Sequence, residues 1–112
     1  MIARIWHGTV RLKDADRYVA YVGETGVRDY QSTPGNLGAY ILRNDLGDRT
    51  EIMTLTFWES WEAIRAFAGD DPAIARYYSE DDAFLLERPE RDEHYAVPFS
   101  TIGWPSNTNS RD

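Results

Sequence analysis

Two runs of strand-forming residues flank a short polar stretch, and this pattern constrains the fold most. The runs are residues 37–43 and 51–58, and Asn44-Asp45-Leu46-Gly47-Asp48 supplies turn chemistry between them. The spacing predicts a β-hairpin. In the second run Met53, Leu55 and Phe57 alternate with Thr54, Thr56 and Trp58, so one face is greasy and the other mixed. Elements of helical period lie on either side. Asp14 is placed to cap a helix in which Tyr18, Val19, Val22 and Gly26 share a face and Asp16, Arg17, Glu24 and Arg28 mark the wet side. Gly23 and Gly26 weaken that helix and either admit a close approach to a sheet or end it early. Ser60 is a good cap for a second helix with Trp61, Ile64, Phe67 and Ala68 as its stripe and Gly69 just past its end.

The chain ends supply the outer strands. Ile2 to Val10 is rich in β-formers, with Ala3, Ile5, His7 and Thr9 on one face and Ile2, Arg4, Trp6, Gly8 and Val10 on the other. Pro72 is expected to start a helical turn that turns Ile74, Tyr77 and Tyr78 inward. Ser79 to Asp82 caps a further turn carrying Phe84, Leu85 and Leu86, which Pro89 stops. His94 to Phe99 reads as the last strand. The order is β-α-β-β-α-β, which predicts an α+β, ferredoxin-like domain with an antiparallel four-stranded sheet. Residues 1–100 form one domain, and 101–112 form a polar tail in which Trp104 is the one large anchor. Two helices cover one face of such a sheet. Trp6, Tyr40, Ile41 and Thr54 are assigned to the other, a surface too large to leave wet, so a homodimer through the sheet face is expected.

The formal net charge of -7 argues against nucleic acid or an anionic membrane as partner. No cysteine is present, so neither disulfides nor thiolate chemistry arise. No apolar run approaches the ~20 residues of a membrane span. The first residues lack a signal-peptide pattern, and a cytoplasmic location is the default. Aromatic residues make up 13% of the chain, enough to require an aromatic core, an interface or a ligand pocket.

The stretch Thr56-Phe57-Trp58-Glu59-Ser60-Trp61-Glu62-Ala63-Ile64-Arg65-Ala66-Phe67 resembles the antibiotic biosynthesis monooxygenase superfamily, where a strand runs into a Ser-capped helix. The resemblance in element order covers roughly residues 1–100. It implies a dimeric α/β barrel with a pocket between helices and sheet in each subunit. Haem-degrading members carry an Asn on the first strand, a Trp on the second helix and, ten residues on, a His that ligates iron. Laid on without gaps, those last two positions fall at Phe67 and Tyr77, and the first strand offers Trp6-His7 with no Asn. The resemblance therefore favours the other branch, which needs no cofactor. Those members bind a polyaromatic phenol and let its electron-rich anion react with oxygen.

His7 and His94 are the only histidines, and each is a candidate general base because imidazole titrates near neutral pH. His7 faces the helices if Ile5 does. Phe67, Tyr77 and Tyr78 fall in the stretch that lines the pocket in the resembling family, with the two tyrosines placed to orient a substrate. Trp58 stands at the strand-helix junction, as a pocket wall or as plain packing. Arg4 and Arg43, inside strands, are placed to pair with a substrate anion or with acids. The acid clusters Asp70-Asp71 and Glu80-Asp81-Asp82 lack calcium-loop spacing and read as helix caps, so no metal site is expected. The leading expectation is a cofactor-independent monooxygenase acting on an aromatic or polyketide-like molecule. The alternative is a non-catalytic, ligand-binding or stress-related dimer, and haem binding comes third.

Overall fold

The computed structural model describes residues 1–102, so the expected role of Trp104 lies outside the described residues. Strand β1 (Ile2–Arg11) leads through a single 3-10 turn into helix α1 (Ala15–Val22). Asp14 precedes the helix without a side-chain capping bond, and its carboxylate takes Arg17 instead. The two glycines do not end the helix. Gly23–Val27 forms a π-helical turn that runs on into α2 (Arg28–Ser32), and Thr25 Oγ1 donates to the Tyr21 carbonyl inside it at 2.8 Å. Strands β2 (Asn36–Leu46) and β3 (Arg49–Trp58) are longer than expected and meet at a two-residue turn, Gly47-Asp48. Gly47 has φ +69° as the first turn residue, which suits a primed hairpin turn. Helix α3 (Trp61–Ala68) starts as read: the Ser60 hydroxyl accepts from the Ala63 N–H at 3.2 Å.

The region after α3 departs from expectation. No helix begins at Pro72. Residues 73–75 instead pair with 90–92: Ala75 N–H donates to Glu90 O at 2.8 Å and Asp92 N–H to Ala73 O at 2.7 Å. Ile74 therefore points outward and is 47% exposed. A short helix α4 (Asp81–Phe84) follows, then β4 (Leu85–Glu87) and β5 (Glu93–Ala96). Leu85 and Leu86 are thus strand, not helix, an addition to the expected last strand, which is shorter than read and ends at Ala96. Both short strands pair antiparallel with β1, β4 near Thr9 and β5 along Ile2 to Ile5. The gap between them includes Pro89, which has no N–H to give a ladder. The sheet order β2-β3-β1-(β4, β5), antiparallel throughout, is the ferredoxin-like arrangement.

The faces are reversed relative to expectation. The even positions of β1 and β3 pack under the helices: Trp6, Val10, Ile52, Thr54, Thr56 and Trp58 are buried. Trp6, Ile41 and Thr54 thus belong to the core side, and of the four residues assigned to the open face only Tyr40 lies there, 49% exposed. The threonine hydroxyls make this possible because each finds a partner within the chain. Thr56 Oγ1 donates to Arg4 O and accepts from Trp58 Nε1, Thr50 Oγ1 donates to Asp45, and Thr54 Oγ1 meets Tyr30 Oη at 3.4 Å. Ile5, Met53 and Leu55, the greasier set, are left on the face without helices.

Two aromatic clusters make the core. Trp6, Val10, Tyr18, Val22 and Ile52 form one, and Tyr30, Trp58, Ile64 and Phe67 the other. Gly35 locks the second. It has φ +92°, and a Cβ there would stand 2.5 Å from the Ala63 Cβ. Gly35→Ala is expected to cost about 1–3 kcal/mol in strain and overpacking, read as a lower denaturant midpoint. An unchanged midpoint would show that this close approach is absent.

Candidate functional site

Between the two clusters the sheet and helices fail to close. The depression measures about 370 Å³ including its open mouth, and about 30 Å³ of it admits the centre of a water. Its walls are aromatic: Trp6, Tyr18, Tyr30, Tyr77 and Tyr78. Its polar groups are Arg4, Thr54, Arg76, Asp81 and Asp92. As it stands, it holds water but not a ring. A ring can enter only if the walls move apart.

Arg4 comes from the helix-facing side of β1 and Asp92 from the loop before β5. The pairing of 73–75 with 90–92 brings them together. Arg4 Nη2 contacts Asp92 Oδ2 at 2.8 Å and donates to the Ile74 carbonyl at 3.2 Å, and the guanidinium lies 5.5 Å from the Phe67 ring centroid. The side chains are 3% and 1% exposed. The pair is only half closed, since Arg4 Nε and Asp92 Oδ1 are both buried without a partner. Burial pushes the Asp92 carboxyl up to about 6, against the pull of Arg4 and, more weakly, of His7.

The tyrosines are already engaged. Tyr77 Oη accepts from Trp6 Nε1 at 3.1 Å and donates to the Pro89 carbonyl. Tyr78 Oη donates to Asp29 at 2.6 Å, and Asp29 also meets Arg76 at 3.3 Å. Tyr18 Oη donates to Asp81 at 2.9 Å. Burial raises the pKa of all four cavity tyrosines, and for Tyr18 and Tyr78 the neighbouring carboxylates add to it. At neutral pH they are neutral donors, not bases.

The sequence-predicted residues divide accordingly. Tyr77 and Tyr78 line the cavity. Phe67 and Trp58 are buried in the neighbouring cluster, with Phe67 between the Arg4 and Arg76 guanidiniums and Trp58 bonded to Thr56. His7 lies on the face away from the helices, because the face it shares with Ile5 is the open one. There it sits between Glu51 and Glu93 at 3.6 and 3.4 Å. His94 is the register partner of Arg4 on β5, with its ring 5.0 Å from Trp61 and Nε2 buried without a partner. Neither histidine is among the lining residues. Arg43 pairs with Asp16 and Asp45 on the surface. Sequence reasoning passed over Tyr18, Tyr30 and Asp92. The available signal was Arg4 itself, a charge on the same strand face as Trp6 and Val10.

Burial and the Arg4 charge lower the pKa of His94 from its ordinary 6.5. As pH falls through that value, the unfolded chain takes the proton first and the folded state loses stability. His94→Asn should therefore gain stability relative to wild type as pH drops from 7 to 5, read from denaturant midpoints. A difference independent of pH would contradict this.

Haem fits these residues poorly. The resemblance would place an iron ligand at Tyr77, whose hydroxyl already serves Trp6 and Pro89, and the remaining room is far below a porphyrin's needs. Among the described residues no group of three or more His, Asp or Glu is placed to hold a metal, and no helix is long and apolar enough to cross a membrane.

No protein-family model and no curated protein matches the sequence. Solved structures do match the fold. One is a Bacillus cereus protein assigned to the antibiotic biosynthesis monooxygenases, with 16% identity, TM-score 0.62, and 91% of this chain aligned to 97% of that one. Another is the heme-degrader MhuD from Mycobacterium tuberculosis with two hemes bound, at 20% identity, TM-score 0.58, and coverage of 92% and 100%. A third, assigned like the first, comes from Chloroflexus aurantiacus at 20% identity, TM-score 0.51, and coverage of 92% and 98%. The chain shares the α+β, ferredoxin-like fold of these structures.

Proposed function

We propose that this protein is a small cofactor-independent monooxygenase whose substrate is an aromatic, phenol-bearing molecule taken up between helices and sheet. The observation that carries the reading is the aromatic cavity with a buried, half-closed ion pair at its wall, set in a fold shared with antibiotic biosynthesis monooxygenases. Trp6, Tyr77 and Tyr78 would hold the ring, with Phe67 and Trp58 stiffening the wall behind them. His94, beside Arg4, is the histidine better placed to assist proton removal, while His7 belongs to the open sheet face. That face would be covered by a second copy of the chain, giving a homodimer. A cytoplasmic setting is part of the same proposal.

The test is oxygen uptake by the metal-free protein with anthrone-like phenols. Uptake is expected in wild type, unchanged in His7→Ala and reduced in His94→Ala. Uptake unchanged from wild type in both variants removes the histidines from the mechanism, and no uptake in any protein removes the activity. The second reading, a non-catalytic binding protein, is favoured by the tyrosine hydroxyls, which are already bonded within the chain. It predicts saturable phenol binding with no oxygen consumed. Titrated haemin is expected to give no Soret shift.

A further inference from the structure

A second opening lies at the hairpin end of the sheet. Arg11, Leu12, Lys13, Asp48, Arg49 and Leu86 line it, and none of them lines the aromatic cavity. About 440 Å³ of it admits the centre of a water, against about 30 Å³ in the cavity, so a small ligand fits without movement of the walls. Those walls are held in place: Leu12 N–H donates to Asp48 O at 2.9 Å, and Val10 pairs with Leu85 on β4. The charges in this groove are unbalanced. Arg11 and Arg49, both exposed, are direct cross-strand partners at the end of the β1–β3 ladder. Like charges set opposite one another destabilise a sheet. Elsewhere Arg4, Arg17, Arg43, Arg76, Arg88 and Arg91 each meet a carboxylate. Among the described residues Arg11, Lys13 and Arg49 do not, and the other two unpaired cations, Arg28 and Arg65, lie on α2 and α3. Three free cations thus share one groove in a chain of formal net charge -7. Asp48 is the one acid in the lining and pairs with none of them. Glu51 and Glu87 are register partners of Thr9, two residues back along β1, and Glu51 already meets His7.

Three cations and one acid leave the lining a formal charge of +2. Guanidiniums present forked donors that match the oxygens of an oxyanion. A carboxylate would neutralise half of the charge, whereas a phosphate monoester carries up to two negative charges on one group near neutral pH. Leu12, which is 40% exposed, and Leu86 add an apolar wall that inorganic phosphate would leave wet. We propose that this groove binds a small organic phosphate monoester, its phosphoryl oxygens between Arg11 and Arg49 beside Lys13 and its organic part over Leu12 and Leu86. The site is separate from the aromatic cavity and does not depend on the oxygenase reading.

The experiment titrates ¹⁵N-labelled protein with phenyl phosphate at constant ionic strength and about pH 7.5, where the monoester is mostly dianionic. Benzenesulfonate, a monoanion on the same ring, and inorganic phosphate, a dianion without a ring, are the controls. The backbone amides of Arg11, Lys13, Asp48 and Arg49 are expected to shift saturably while the Trp6 indole stays fixed. Phenyl phosphate is expected to bind about tenfold more tightly than either control, the scale of one further charge-assisted bond or of a partly covered ring. Arg11→Gln with Arg49→Gln should weaken it at least about tenfold without lowering the unfolding midpoint, because both side chains are exposed and their mutual repulsion goes with them. The single variant Arg49→Gln serves the same comparison if the double variant fails to fold. Equal affinity for phenyl phosphate and benzenesulfonate overturns the proposal, as do shifts confined to other residues or binding that the variants retain. An absence of shifts also overturns it, and a dimer that dissociates in the double variant would then give the groove to the second copy.

Discussion

Arg4→Met alone is expected to lower stability by about 3–5 kcal/mol, because Asp92 is then left buried without its partner and must keep an unpaired charge or take up a proton to fold. For a domain of this size that is a fall in Tm of roughly 12 °C or more. The effect is large because neither side chain reaches water: the carboxylate is 1% exposed, and its one ionic contact is the 2.8 Å approach of Arg4 Nη2. Adding Asp92→Leu should restore most of the loss, since replacing a whole buried pair by apolar residues is often neutral or stabilising by about 1–4 kcal/mol. The double-mutant cycle then reports a coupling of several kcal/mol between the two positions. Near-additive losses, with the double variant as weak as the sum of the singles, would show that the pair is not isolated from solvent.

Leu55→Glu is expected to convert a homodimer to a monomer, halving the mass measured by sedimentation. Leu55 stands mid-strand on the face that no helix covers. Across the sheet it pairs with Ile5 on one side and Tyr40 on the other, and one step along the ladder Met53 pairs with His7 and Leu42. Tyr40, Leu42 and Tyr95 are 49%, 42% and 53% exposed. An apolar sheet face of this kind needs cover, and a stable two-fold interface takes about 800 Å² from each partner. A carboxylate at its centre, doubled by symmetry, would weaken association by at least about a hundredfold, the equivalent of roughly 3 kcal/mol. Should wild type itself sediment as a monomer, the proposed dimer falls.

The strand and helix order was legible because it rests on local signals. Ser60 caps α3 as its type and spacing imply, and the hairpin turns at Gly47-Asp48. The orientation of the sheet was not legible. By alternation alone Met53, Leu55 and Phe57 belong inside, yet the threonine-bearing side is buried because its hydroxyls meet Arg4 O, Trp58 Nε1, Asp45 and Tyr30. Two of those partners, Arg4 and Tyr30, come from distant parts of the chain, and no strand-length window of sequence contains them. A sheet with two apolar faces offers either choice, and the misplacement of His7 follows from that one ambiguity. Residues 70–92 were hidden for a related reason. Their backbone pairs with itself across some fifteen residues rather than forming the helix that Pro72 invites, and this pairing is what delivers Asp92 to Arg4. Tyr77 and Tyr78 were singled out because the resembling family lines its pocket with that stretch, and they line the cavity although the helix expected there does not form. Asp92, one acid among nineteen acidic residues, was not.

A small phenol is expected to enter between the helices and the threonine-bearing side of the sheet. Trp6 reports on that place directly, since its indole N–H is bonded to Tyr77 Oη at the cavity wall. In a titration with 2-naphthol followed by the indole resonances in ¹⁵N-correlated NMR, the Trp6 signal is predicted to shift saturably while the Trp58 signal, buried behind the wall, moves little. A Trp6 resonance that stays fixed while the naphthol binds elsewhere, or does not bind, would contradict the account.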